Sequence, residues 1–433
     1  MAAAMDREQL QQRIHEAVEA YCSAEHDFSF DGTNPIVRLH EPTFSADEIN
    51  AVLDCLLSTR VTMGPKVKSF EREFAASGPY GHGVMVNSGS SANLLAIAAL
   101  ANPEARDPLR PGDEVIVPAL SWSTTVWPLI QLGLVPVVVD IDPVTLNIDP
   151  NEIEAAIGPK TRGVMVVHVY GNPCDMSAIE DICARRSLLL IEDCCEALGS
   201  SYQDKPVGVF GRVGTFSFYF SHHMTTLEGG ITVTGDFDDA ELMRILRAHG
   251  WTREVEKPER WTEQHPEINP RFLFVNLGYN LRAMEIQGAM GSVQLPKLAG
   301  YVETRRRNAH RLADRLAPNA GVLHQQRETP GGQHSWFGFP LTLAVDAPFT
   351  VEEIMQALGT AGIETRPIIC GNIARQPGLQ LYPHRTQGDL VHASAVMDRG
   401  FSIGNHQDID AAAGEHIGGV IEAFLADKGA LHA

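Results

Sequence analysis

Two short stretches of the sequence carry side chains whose types and spacing suit ligand binding. In residues 86–101, VNSGSSANLLAIAALA, a Ser/Gly turn precedes an apolar helical stretch. Backbone N–H groups at a helix start, together with the hydroxyls of Ser88, Ser90 and Ser91, can form a phosphate site. The same pattern also serves as an ordinary helix cap, and the residues alone leave both interpretations open.

The second stretch is LLLIEDCCEALGS, residues 188–200. Asp193 ends an apolar run that reads as a buried strand, and open α/β sheets bind ligands at the carboxyl ends of their strands. A carboxylate there could pair with a protonated pyridine nitrogen, and Glu196 could reach a hydroxyl of the same ring. An aspartate at this position could instead simply cap the following turn. The adjacent Cys194 and Cys195 are predicted to pack rather than to bind a metal.

Two further motifs follow predicted strands. Trp122 in PALSWSTTVWP could stack on a flat cofactor, although a tryptophan after a strand can equally belong to the core. In SFYFSHHMTTLEGG, residues 217–230, His222 and His223 are adjacent. Because neighbouring side chains point apart, no zinc site is expected here.

Apolar runs that alternate with helical stretches must position these residues. Helices are predicted at 151–157 and 175–186, between short strands that are apolar on both faces. This alternation predicts an α/β fold with a mostly parallel sheet covered on both faces. The predicted strands occupy residues 114–119, 135–142, 163–171, 187–193, 214–220 and 229–235.

Further helices are predicted outside this core. Helical spacing of apolar residues predicts a leading helix at 6–22, and the Ser45-x-x-Glu48 capping box marks the start of a second helix. A charged helix at 302–316 would lead into a C-terminal domain. Its arginine run (Arg305, Arg306, Arg307) is predicted to be a solvated helix face rather than a binding site.

Composition limits the partners and the compartment. The formal net charge of −20 argues against nucleic acid and anionic membranes, since either needs a basic face. The sequence shows neither a membrane-length apolar run nor the features of a signal peptide at its start. The spacing of the cysteines predicts no disulfide framework, so a reduced, cytoplasmic protein is expected. They are Cys22, Cys55, Cys174, Cys183, Cys194, Cys195 and Cys370.

Many ordered strings together carry a family resemblance. The chain resembles the DegT/DnrJ/EryC1/StrS sugar-aminotransferase superfamily of fold-type I pyridoxal-phosphate enzymes, and within it the 3-dehydratase branch that acts on GDP-linked keto sugars. The resemblance runs from about Arg38 to Gln407. It rests on TMGPKVKSFE, SGSSANL, IVPALSWSTT, IDPVTLNID, EDCCEALGS, FSFYFSHHMTTLEGG, RAHGWTR, GYNLR, SWFGFP, GIETRPIICGN and GNHQ.

The resemblance implies a domain organisation and a set of contacts. An N-terminal helical extension (1–37) would precede a large cofactor-binding domain (38–300) and a smaller C-terminal α+β domain (301–433). The active unit would be a homodimer with shared active sites. The implied cofactor contacts are Gly89, Ser90, Ser91 and Ser217 near the phosphate, Trp122 on the ring, Asp193 at the pyridine nitrogen, Glu196 at the ring oxygen, and Asn280 from the partner subunit. His249, Arg282 and Arg366 are the candidates for binding substrate.

His222 stands where the aminotransferases of this superfamily carry a lysine. Imidazole forms no stable Schiff base, but with an ordinary pKa near ~6.5 it accepts protons at neutral pH. The resemblance therefore implies a noncovalently held pyridoxal or pyridoxamine phosphate, with His222 as the catalytic base and L-glutamate as amino donor. The substrate would be a nucleotide-linked 4-keto-6-deoxyhexose, which would lose its C3 hydroxyl to give a 3,6-dideoxy-4-keto sugar.

A sister branch, the CDP-linked 3-dehydrases, shares the histidine and adds a cysteine-bound iron–sulfur cluster after it. No cysteine lies between Cys195 and Cys370 in this sequence, so such a cluster and its reductase are not expected. The leading helix nevertheless resembles that sister branch, which leaves GDP, CDP and dTDP open as the nucleotide. The same resemblance is compatible with an aminotransferase relative and with a non-catalytic cofactor-binding protein.

Overall fold

The computed structural model describes residues 5–431. Its helices are α1 (Arg7–Glu25), α2 (Ala46–Ser58), α3 (Pro65–Ala76), α4 (Gly89–Leu100), α5 (Ser123–Gln131), α6 (Pro150–Ala156), α7 (Met176–Arg186), α8 (Phe237–Arg247), α9 (Glu259–Thr262), α10 (Glu285–Gln294), α11 (Leu298–Leu316), α12 (Val351–Thr360), α13 (Val391–Arg399) and α14 (Ala411–Asp427). Its strands are β1 (His82–Val86), β2 (Glu114–Pro118), β3 (Val135–Val139), β4 (Thr161–Val167), β5 (Leu189–Asp193), β6 (Ser201–Tyr202), β7 (Lys205–Pro206), β8 (Val213–Ser217), β9 (Gly230–Thr234), β10 (Leu323–Gln325), β11 (Gly332–Gln333), β12 (Gly338–Leu343), β13 (Thr365–Arg366), β14 (Arg385–Thr386) and β15 (Gly400–Gly404).

The largest sheet has the strand order β1-β9-β8-β5-β4-β2-β3-β14. In the order β8-β5-β4-β2-β3-β14, each strand is parallel to the next one. Strand β9 is antiparallel to both β8 and β1. The predicted mostly parallel sheet is therefore confirmed. All six predicted strands belong to it, and the two helices predicted between them are α6 and α7.

The central strands are buried on both faces because successive side chains alternate between two apolar layers. In β2, Val115 and Val117 pack with residues of α4, α5 and α8, whereas Ile116 packs with residues of α6 and α7 on the opposite face. Continuous apolar runs such as EVIVP therefore form central strands. The polar residues that follow these strands remain at the edge of the sheet, where they are available for a site.

A second, antiparallel sheet has the order β10-β12-β15-β13. It shares an apolar core with α11, α12 and α14. The short strand β14, from the C-terminal part of the chain, pairs with β3 of the large sheet. The proposed boundary between residues 300 and 301 stays a prediction, as does the separate 1–37 extension, of which residues 1–4 lie outside the described part.

The predicted N-terminal helices are present. Helix α1 lies against α2, where His15 Nε2 and Asp54 Oδ1 are 2.9 Å apart. The Ser45 N–H donates to the Glu48 carboxylate at 2.6 Å, as the capping box predicts. Between residues 5 and 431, no helix is both long and apolar enough to cross a membrane.

The predicted solvated face on the charged helix is wrong at Arg305. Its side chain is buried and donates hydrogen bonds to the backbone carbonyls of Phe337 and Asn405. Arg306 donates to the His334 carbonyl at 2.7 Å. Arg305 and Arg306 therefore connect α11 to the segments around β12 and β15, whereas Arg307 is exposed as predicted.

Candidate functional site

A cavity of about 340 Å³ opens where α4 begins and where β5 and β8 end. Its volume is within the range of small-molecule sites. It brings together residues that the sequence separates widely. The predicted site residues that line it are Gly89, Ser90, Trp122, Asp193, Glu196, Ser217, His222 and Arg366.

The Ser/Gly turn forms the start of α4. The Ser88 hydroxyl accepts a hydrogen bond from the Ser91 N–H at 3.1 Å and donates to the Ser91 hydroxyl at 3.0 Å. Ser91 therefore belongs to the cap and does not line the cavity. The turn approaches the end of β8 so closely that a Cβ on Gly89 would lie 2.5 Å from the Ser217 Cβ. The turn requires glycine at this position.

Asp193 is buried at the end of β5 and is held by three donors. Its Oδ2 accepts from the Asn93 side-chain amide at 2.8 Å and from the Thr125 hydroxyl at 2.7 Å. Its Oδ1 accepts from the Cys195 N–H at 3.1 Å, so the residue caps the turn as well as facing the cavity. Because a carboxylate offers about four lone-pair positions, one remains for a ligand.

Asn93 and Thr125 were not predicted as site residues. The Asn93 side-chain oxygen also accepts from the Thr215 hydroxyl at 2.6 Å, so the side-chain nitrogen faces Asp193. Both contacts join elements far apart in the sequence and have no local signature. They explain why Asp193 has one orientation in the cavity.

His222 lies in the loop between β8 and β9 and is half-buried. Its Nδ1 is 2.6 Å from the Cys195 carbonyl oxygen, which can only accept, so Nδ1 carries the hydrogen. Burial lowers the pKa of His222 to about 4, the Cys195 bond opposes this shift, and the charge of Arg366 adds to it. The ring is therefore neutral at pH 7, with an unprotonated Nε2.

His223 is fully buried and does not line the cavity. Its Nε2 lies 3.1 Å from the Ser335 carbonyl, whereas His222 bonds to that of Cys195. Burial holds the pKa of His223 well below its ordinary value. The two adjacent histidines thus face different surroundings, as the sequence predicted.

Glu196 and Arg366 are ionisable residues that both line the cavity. Glu196 Oε2 accepts from the Tyr170 N–H at 3.0 Å. Burial raises the pKa of Glu196 to about 7, while Arg366 and the Tyr170 N–H oppose this shift. The Arg366 guanidinium lies over the rings of Phe337 and Tyr170, 5.3 and 5.6 Å from their centres. Trp122, at the mouth, is 57% exposed and leaves its ring open to a ligand.

The remaining predicted residues do not reach the cavity of their own chain. Asn280 and His249 are exposed on two paired segments, where the His249 N–H donates to the Tyr279 carbonyl at 2.7 Å. Arg282 is half-buried near the end of β1. The contribution of Asn280 from a partner subunit stays a prediction.

A buried cluster outside the cavity contains His168, Glu192 and Cys194. The Cys174 N–H donates to His168 Nδ1, so His168 Nε2 carries a hydrogen and donates to Glu192 at 3.2 Å. Glu192 also accepts from three backbone N–H groups of residues 208–211. His168 and Glu192 therefore both have hydrogen-bond partners within the protein. Their bonds connect the ends of β4 and β5 to the turn before β8.

Comparison with known proteins places this chain in a family. The model of the DegT/DnrJ/EryC1/StrS aminotransferase family matches residues 42–424. The chain belongs to this family. The fold agrees, since a solved relative with bound pyridoxal phosphate shares it.

Three relatives are similar to this chain over most of its length. GDP-4-keto-6-deoxy-D-mannose 3-dehydratase of Yersinia pseudotuberculosis is 41% identical over 85% of this chain and 94% of its own length. dTDP-4-dehydro-2,6-dideoxy-D-glucose 3-dehydratase of Saccharopolyspora spinosa is 35% identical over 96% of this chain and 92% of its own. The solved structure of the Escherichia coli GDP-4-keto-6-deoxy-D-mannose 3-dehydratase with bound hydrated pyridoxal phosphate is 38% identical, with a TM-score of 0.84 over 89% of this chain and 98% of its own.

Proposed function

We propose that this protein is a 3-dehydratase that uses pyridoxal phosphate and L-glutamate to remove the C3 hydroxyl of a GDP-linked 4-keto-6-deoxyhexose. The observation that carries the proposal is the neutral imidazole of His222, which lines the cavity beside Asp193 and Glu196. A lysine at this position would attach the cofactor covalently through its primary amine, whereas imidazole forms no stable Schiff base and can serve as a proton acceptor. The three relatives described above, all named as 3-dehydratases, support the reaction.

The residues of the cavity fit the cofactor. The start of α4 and Ser217 would hold its phosphate, because the glycine at position 89 keeps the turn open beside Ser217. Asp193 has one acceptor position left for a pyridinium N–H, and Glu196 would meet the ring oxygen. Trp122 would cover one face of the ring. When bound, the cofactor supplies an amine for the C4 ketone and a ring that accepts electrons.

The protein's own groups then handle protons and charge. His222 Nε2 would accept the proton whose removal allows the C3 hydroxyl to leave, and its lowered pKa favours the release of that proton in the following transfer. Glu196, with a pKa of about 7, can hold a proton towards the ring oxygen. The free acceptor position of the Asp193 side chain would lie at the ring nitrogen.

Arg366 is the residue that we assign to the carboxylate of the amino donor. It is the arginine that lines the cavity, and its ring neighbour Phe337 also contacts His222, at 5.0 Å between ring centres. In glutamate the α-carboxylate is attached to the same carbon as the reacting amine. An arginine that shares one aromatic neighbour with the base is therefore suitably placed to bind that carboxylate.

We further propose a homodimer in which Asn280, and with it His249 and Arg282, completes the partner's site. These residues lie outside their own cavity, beside a surface where Phe272, Phe274 and Leu277 are 60%, 53% and 91% exposed. Exposed apolar groups of this kind are typical of protein interfaces. A subunit contact here would cover them.

The experiment is incubation of the purified protein with pyridoxal phosphate, L-glutamate and, separately, GDP-, CDP- and dTDP-linked 4-keto-6-deoxyhexoses. We expect 3-deoxy-4-keto product, ammonia and 2-oxoglutarate in equal amounts with the GDP-linked substrate, without reductase or NAD(P)H. An amino sugar as product would make the protein an aminotransferase. A reductase requirement would place it with the iron–sulfur dehydrases, and preference for dTDP or CDP would correct the nucleotide.

A further inference from the structure

Tyr170 is hydrogen-bonded to both Glu196 and Arg366, although it is itself fully buried. Its N–H donates to Glu196 Oε2 at 3.0 Å. Its hydroxyl accepts from Arg366 Nε at 3.3 Å and donates to Ser402 Oγ at 2.8 Å. A hydroxyl has one donor hydrogen, so these two bonds fix its direction.

The backbone of Tyr170 is unusual. It has φ 57° and ψ 17°, the left-handed region that aromatic residues rarely adopt. This conformation occurs in the turn Val169–Gly171 that follows β4. Strained conformations of this kind persist where surrounding contacts determine them and are concentrated at functional sites.

Arg366 depends on Tyr170 for its position. Within the described chain, no carboxylate lies within ion-pair distance of the guanidinium, and the hydrogen bond that holds it runs from Nε to the Tyr170 hydroxyl. The terminal nitrogens therefore remain available to bind a carboxylate with two parallel bonds. Ser402 lies opposite Arg366 on the neighbouring strand β15. The two residues that bond to the Tyr170 hydroxyl therefore both belong to the second sheet.

We propose that Tyr170 is a positioning residue for amino-donor binding: its hydroxyl, oriented by Ser402, holds the Arg366 guanidinium where the α-carboxylate of glutamate binds. The inference rests on the proposed function. It concerns the donor specifically, because the sugar nucleotide carries its phosphates on C1, away from the C4 carbon that reacts.

The test uses Tyr170→Phe and Ser402→Ala in the full-length protein, with Tyr202→Phe as the matched control. Tyr202 is also buried and donates to Asp175 at 2.9 Å, but its hydroxyl bonds to neither Arg366 nor Ser402. Loss of one hydrogen bond predicts that the Tyr170→Phe protein has a KM for glutamate about three- to tenfold higher. The KM for the sugar nucleotide should be unchanged, and Ser402→Ala should give a smaller rise of the same kind. Tyr202→Phe should leave both constants unchanged.

A second readout does not need turnover. The dissociation constant of 2-oxoglutarate, measured by calorimetry, should increase by the same factor in Tyr170→Phe and stay at the wild-type value in Tyr202→Phe. Equal increases in both KM values, or no change in either readout, would overturn the positioning role. A wild-type protein that binds 2-oxoglutarate but forms no product from any sugar nucleotide would instead contradict the proposed function.

Discussion

The hydrogen bond from His222 Nδ1 to the Cys195 carbonyl determines which ring nitrogen can accept a proton. The sequence predicted a histidine base through the family resemblance, but it could not predict the tautomer. That depends on a carbonyl contributed by the turn after β5, a contact between residues 27 positions apart. The lowered pKa likewise comes from burial, which is a property of the folded chain.

Replacing His222 with Asn should abolish dehydration while preserving cofactor binding. The amide fills similar space, but it cannot accept a proton at neutral pH, and general-base catalysis typically contributes about 10²–10⁴-fold to the rate. Product formation and the cofactor dissociation constant, followed by absorbance, are the measurements. His324→Asn, an exposed histidine on β10, is the control. Near wild-type turnover by the His222 variant would show that another residue is the base.

The second residue-level prediction concerns Glu196 and pH. Because its pKa in the folded protein is about 7, above the ordinary value of 4.5, the folded state keeps a proton that the unfolded state releases. This contribution to stability is complete below pH 4.5 and is lost as the pH rises through about 7. Glu196→Gln should therefore raise the unfolding temperature of the cofactor-free protein at pH 8 relative to the wild type. The difference should be smaller at pH 5, and scanning calorimetry at both pH values tests this. An equal difference at both values would mean that Glu196 does not titrate in this range.

At the scale of helices and strands, local pattern predicted much of the molecule. Apolar runs such as EVIVP form buried strands, and the Ser45–Glu48 capping box begins α2. Arg305 shows where this reasoning fails. A run of arginines on a helix normally faces solvent, but the carbonyls that bind Arg305 come from segments 32 and 100 residues further along the chain. Likewise, no local pattern indicates that Asn93 and Thr125 contact Asp193.

The start of α4 gives a prediction at this scale. Gly89→Ala places a Cβ 2.5 Å from the Ser217 Cβ, so the turn and the end of β8 must separate. We expect a loss of affinity for pyridoxal phosphate of at least about tenfold, since a displacement that costs about 1.4 kcal/mol is sufficient. Titration of cofactor absorbance measures it. In Gly414→Ala, on α14, nothing lies within 4 Å of the new Cβ, so the affinity should not change. Unchanged affinity in Gly89→Ala would remove the turn from the proposed phosphate site.

For the whole molecule, the proposed dimer predicts complementation between two inactive variants. His222→Asn lacks the base within a chain, and Asn280→Ala lacks the residue that the partner would receive. Refolding or co-expressing the two in equal amounts should restore about one quarter of wild-type activity, because half of the dimers would be mixed and each would have one complete site. Each variant alone should remain inactive at the same concentration. No recovery in verified mixed dimers would show that Asn280 does not act across a subunit contact.

The loop that carries His222 also bears on how this reaction arose. Strands β8 and β9 are antiparallel neighbours, and the segment between them is closed at its base by bonds from the Phe218 N–H to the Gly229 carbonyl and from the Thr226 N–H to the Phe218 carbonyl, both 2.9 Å. A hairpin loop tied in this way can exchange residues at its tip while the strands below keep their register. In the proposed function, the residue that decides between a covalent and a noncovalent cofactor therefore lies outside the paired residues of β8 and β9. A single codon change at position 222 could redirect the chemistry of an existing scaffold, which makes this loop a natural starting point for directed evolution between dehydration and amino transfer.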